Sequence, residues 1–85
     1  MRTPRQHDID RAVVRTLSQM GDIPLDEPIL ADTARRAVAP RALAAEVAAS
    51  IQDLEARGRL VGDIGDTCTA WKLTAAGRLW WAEHR

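Results

Sequence analysis

Few residues in this chain have the types and spacing of an active site. The two histidines, His7 and His84, stand near opposite ends of the sequence and can meet only if the termini do. Taken singly, each reads as a solvent-exposed side chain. Cys68 is the one cysteine, which excludes an internal disulfide and a cysteine-based zinc site. No Ser-His-Asp set, paired-carboxylate cleft or phosphate-binding glycine loop is evident, and no motif supplies both a nucleophile and its base. The expectation is a protein with no enzymatic activity, metal or cofactor.

The side chains that could do chemistry are arginines. Arg35, Arg36 and Arg41 gather in one short stretch, Arg2 and Arg5 stand near the N-terminus, and Arg57 and Arg59 flank Gly58. Guanidinium groups bind phosphate oxygens, and an arginine can also bond bidentately to guanine. Against this, 12 Lys and Arg balance 12 Asp and Glu, for a net charge of zero. Duplex affinity comes largely from phosphate neutralisation, so nucleic-acid binding here would need a local basic patch. Residues 22–34 hold four acids and no base, and Asp63 and Asp66 add negative charge further on.

Eighty-five residues make one domain with a small core. Phe and Tyr are absent, so Ala, Leu, Val and Ile must fill that core around three Trp. No apolar run is long enough for a membrane span, and no signal-peptide pattern follows the N-terminus. A cytoplasmic location is the default.

Periodicity places the elements. Residues 1–7 carry no apolar pattern and read as a flexible basic arm, with Asp8 as a helix cap. Ile9, Val13, Leu17 and Met20 then line one face of a helix over 9–20, which Gly21 stops. Asp26, Glu27 and Pro28 start a second helix whose buried side holds Ile29, Leu30, Ala34, Ala37 and Val38. Pro40 ends it and opens a third helix, 41–57, with Leu43, Val47, Ile51 and Leu54 inward. Segments 59–64 and 67–73 flank Gly65-Asp66, a hairpin signal. A two-residue turn there sets Leu60 opposite Trp71. Thr74 caps a last helix over about 75–84. The fold class expected is mainly α with a small β-hairpin: three helices, a two-stranded wing and a C-terminal helix, as one domain over 8–85.

Two stretches carry a resemblance. Ile51 to Val61 looks like the end of a recognition helix running into a first wing strand. Trp71-Lys72-Leu73-Thr74-Ala75-Ala76-Gly77 is similar to the aromatic-x-Leu-Thr-x-x-Gly pattern of MarR-like and PadR-like proteins. Together they resemble the winged helix-turn-helix superfamily over about residues 8–80. A looser similarity exists to small winged-helix proteins of Mu-like phages.

The resemblance implies a DNA-binding transcriptional regulator with the third helix in the major groove. Arg41 and Gln52 would contact bases, and Arg35, Arg36 and Arg59 would contact phosphates. Trp71 and Trp80 read as core. Adjacent helical residues point about 100° apart, so Trp81 cannot share the core with Trp80. Trp81 is therefore the candidate interface of a homodimer. The alternative is a protein-interaction module of phage or mobile-element origin that does not bind DNA. In that reading the Ala-rich outer face of the third helix and the Trp81 helix make the contacts. A neutral or acidic surface around the third helix and the wing would favour this second reading.

Overall fold

The computed structural model describes residues 2–85; Met1, part of the expected arm, lies outside them. Along the chain run α1 (Pro4–Met20), β1 (Leu25–Asp26), α2 (Glu27–Arg36), α3 (Ala44–Ala56), β2 (Leu60–Ile64), β3 (Thr69–Leu73) and α4 (Ala75–His84). The protein is mainly helical, with one small antiparallel sheet in the order β1-β3-β2. No helix among the described residues is long and apolar enough to cross a membrane.

The expected flexible arm is, from Pro4 onward, the first turn of α1. Thr3 caps that turn by accepting from the Gln6 backbone N–H, while the Gln6 side chain accepts from the Thr3 N–H. This reciprocal pair satisfies two N–H groups that a helix start leaves open, and Pro4 loses nothing at a position that needs no donor. Asp8, expected as the cap, therefore lies inside the helix.

The third helix also starts elsewhere than expected. Pro40 does not open it: the chain stays irregular through Leu43, and α3 begins at Ala44. Glu46 sets the start by reaching back to accept from the Leu43 N–H at 2.9 Å. Leu43, expected on the inner face, is consequently outside the helix and 65% exposed. Ile29 of α2, also expected inside, is exposed as well.

The hairpin pairs differently from the expected register. Leu60 faces Leu73, Gly62 faces Trp71 and Ile64 faces Thr69, so the loop takes in residues 65–68. A slip of two residues keeps every side chain on its own face, so hydrophobic alternation alone does not separate the two pairings. Glycine opposite Trp71 decides it. A Cβ at Gly62 would sit 2.7 Å from Thr69 Cγ2 and 2.9 Å from the Trp71 ring. β1, absent from the sequence reading, adds a third strand by pairing Leu25 with Trp71.

Ile9, Val13 and Leu17 of α1 meet Val47, Ile51 and Leu54 of α3 in the core, with Leu60, Trp71, Leu73 and Trp80 closing the sheet side. Each fully buried Leu or Ile contributes about 1.5–3 kcal/mol. One carboxylate lies among them: Asp10, 2% exposed, accepts from the Ser50 hydroxyl at 2.6 Å and takes the Arg2 guanidinium through both its oxygens. The cluster ties the N-terminal end of α1 to the middle of α3.

Candidate binding surface

The connection from α2 to α3 is held by arginines. Arg35 of α2 donates its Nε–H to the Ala42 carbonyl at 2.9 Å. Arg5 of α1 donates to the Pro40 carbonyl at 3.0 Å and grips Glu46 through two parallel bonds of 2.9 and 3.1 Å. Such paired bonds to a carboxylate are the strong, oriented kind. Arg35 and Arg5 thus fix the backbone from which Arg41 projects. The guanidinium of Arg41 is exposed and makes no ion pair among the described residues.

Glu46 is held below the usual carboxylate range, first by its bond from Arg5 and then by the Leu43 N–H; Arg5 is raised in turn, chiefly by Glu46. A depressed carboxylate stabilises the fold above its unfolded pKa, and that contribution is lost as pH falls through the lowered folded value. The protection of the Leu43 and Val47 amides, taken as the exchange rate relative to the intrinsic rate at the same pH, is therefore expected to fall in acid. In Glu46→Gln it should be low already at neutral pH and should change little on acidification. Equal acid sensitivity in the two proteins would remove Glu46 as the cause.

The residues expected to contact DNA lie on several elements, and three of the arginines are engaged with neighbours. Arg35 is engaged with the turn. Arg36 is half exposed and paired with Asp32 at 2.8 Å. Arg41 stands in the α2–α3 connection, not at the N-terminus of a helix. Gln52 is exposed on α3. Arg59 lies 5.0 Å over the Trp80 ring, on the side of α4. Arg2 and Arg5, which a flexible arm would have carried to a groove, are bound to Asp10 and Glu46. Arg57 pairs with Asp53 and Arg78 with Asp22.

The outer side of α3 and the hairpin instead enclose an open groove of about 660 Å³. Ala48, Ala56, Ile64 and Trp71 give it an apolar floor and wall; Glu27, Gln52 and Glu55 supply polar groups, and none of its lining residues is basic. Glu27 accepts from the Trp71 indole N–H at 2.8 Å, which fixes both the ring and the carboxylate. Asp63 and Asp66 are exposed at the hairpin end. The sequence signal for this acidity was the run of acids over 22–34, but their convergence with α3 and Trp71 depends on β1.

The two histidines do meet. His84 stacks on Trp80 with ring centroids 4.4 Å apart, His7 meets both rings edge-on, and His84 Nδ1 lies 2.7 Å from the Trp80 carbonyl oxygen. Both histidines are partly buried, contrary to the expectation of isolated exposed side chains. Among the described residues no three His, Cys, Asp or Glu side chains are grouped as metal ligands. Trp81 is half-buried against the core and lines a second groove between α1, the α2–α3 connection and α4. That groove also holds Arg11 and Arg15, which the sequence reading did not single out. Comparison with protein-family models, with curated proteins and with solved structures found no match.

Proposed function

We propose that this chain is a winged helix-turn-helix-like module that binds a segment of a partner protein between its third helix and its hairpin. The element order supports the winged-helix reading: three helices, an antiparallel hairpin and a closing helix follow one another as the resemblance implies. The observation that carries the function is the lining of the α3–hairpin groove, which holds two carboxylates and no base. Duplex affinity comes largely from Lys and Arg that neutralise phosphates. Among the described residues beside the α2–α3 connection, Arg41, Arg11 and Arg15 make no ion pair, and Arg36 is shared with Asp32. Carboxylates at the rim of an apolar groove suit a segment that presents Leu or Ile beside Arg or Lys.

The exposed Arg41, with Arg36 beside the same connection, favours a second reading, in which the chain binds DNA as a regulator. One pair of titrations separates the two. Short synthetic peptides placing Arg or Lys a few residues from Leu or Ile are measured against random duplex fragments at low and moderate salt. The peptides should bind, and Glu55→Lys should weaken them about tenfold by opposing like charges. The duplex should not bind at low micromolar protein. Duplex binding lost about tenfold in Arg41→Ala, with no peptide binding, would establish the DNA reading instead.

A further inference from the structure

The hairpin end and the Trp81 groove carry opposite chemistry. Ile64, at 86% exposure, is the most exposed large apolar side chain among the described residues. Asp63 precedes it and Asp66 follows at the loop; both are exposed and neither makes an ion pair among the described residues. The tip is thus a projection bearing an isoleucine between two carboxylates.

The groove between α1, the α2–α3 connection and α4 is concave, about 300 Å³ in volume, and basic. Arg11 and Arg15 lie one helical turn apart on the same side of α1, and neither makes an ion pair among the described residues. The Arg11 Nε is buried without an acceptor. A donor in that position costs free energy until something supplies an acceptor to its guanidinium or lets it turn. Val38 and Trp81 provide the apolar surface, and Asp8 is the single acid on the rim.

We infer that the groove receives the hairpin tip of a second copy of this chain. Strand alternation points Asp63 and Ile64 to opposite faces. The tip therefore enters end-on, with Ile64 against Trp81 and Val38, and Asp66 and Asp63 toward Arg15 and Arg11. If the contact is reciprocal it closes as a two-fold dimer; otherwise it propagates from copy to copy. Ile64 also lines the α3–hairpin groove, so the inference is tested at Asp66 and Arg15, neither of which lines it, and its failure is distinguishable from that of the peptide reading.

Sedimentation velocity over a concentration series tests it. Trp81 packs on the core, so the probes are the exposed Arg15→Glu and Asp66→Arg. Wild type should grow in mean mass with concentration, less so at high salt. Each variant alone should need at least about tenfold more protein to do so. An equimolar mixture should recover association, because one contact is then wild-type in charge and the other has both signs reversed. A wild type that stays monomeric to about 1 mM would overturn the proposal, as would single variants that associate like wild type or a mixture that fails to recover.

Discussion

Asp10→Ala is expected to lower the melting temperature of this domain by about 15–25 °C. The Asp10 carboxylate is nearly sealed from water, and its charge is tolerated because Arg2 and the Ser50 hydroxyl both bond to it. Removing one partner of a buried charged set costs about 3–5 kcal/mol, since the others keep their desolvation cost without the bond. For a domain of this size each kcal/mol moves the midpoint by about 4–8 °C. Arg2 retains some solvent, so the lower part of the resulting range applies. Asp10→Leu combined with Ser50→Ala should recover much of the loss, because an apolar pair leaves no orphaned hydroxyl. Thermal unfolding followed by circular dichroism measures both. A midpoint shift below about 5 °C in Asp10→Ala would mean that the cluster is incidental to the fold. The consequence reaches the α3–hairpin groove, because this cluster anchors α3 from behind.

Where one face of an element is buried, the sequence was readable. Ile9, Val13 and Leu17 recur at helical spacing, and all three are buried; so do Val47, Ile51 and Leu54. Gly21 and Gly58 stand where the sequence asks for helix stops, both with φ in the left-handed region. Thr74 caps α4 as expected, accepting from the Gly77 N–H at 3.1 Å. What stayed hidden was set by partners distant in sequence. The start of α3 depends on Glu46, and Glu46 depends on Arg5 of α1. β1 has two residues and no periodicity to announce it. The hairpin register rests on how the Trp71 ring lies across Gly62, which alternation cannot report.

The binding surface was less legible than the fold, for an electrostatic reason. Arginine content says how much positive charge there is, not where its partners are. Arg5 and Glu46 lie 41 positions apart, and Arg2 and Asp10 meet only because residues before Asp8 are helical. A signal for Asp10 did exist: Asp10, Val13, Val14 and Leu17 share one helical stripe, and a carboxylate in an apolar stripe calls for a buried partner. The groove beside α3 is acidic because β1 brings Glu27 to Trp71. That pairing spans 44 positions and has no local signature.

Gly77→Ala should destabilise the domain by about 2–3 kcal/mol even though it improves the helix. Alanine is favoured over glycine inside a helix by about 1 kcal/mol, so propensity alone forecasts a gain. Packing overrides it. A Cβ at Gly77 would stand closer to the Arg59 carbonyl oxygen than van der Waals contact permits, and 3.2 Å from Leu73 Cδ2. That carbonyl cannot withdraw, because it accepts from the Thr74 N–H at 3.1 Å while the Arg59 N–H donates to Leu54 at 2.9 Å. α4 must therefore lift from the root of the hairpin; overpacking typically costs about 1–3 kcal/mol and occasionally more, and a clash with fixed backbone belongs at the upper end. Lifting α4 also draws Trp80 away from Arg59, so its fluorescence should shift before global unfolding. Ala76→Gly, on the exposed side of the same helix, serves as the control, with a loss of at most about 1 kcal/mol because it lies in the first turn. Denaturant unfolding of the three proteins decides the matter. If Gly77→Ala proves as stable as wild type, the close approach of α4 to Arg59 does not exist, and the hairpin has no fixed platform from which to frame the groove beside α3.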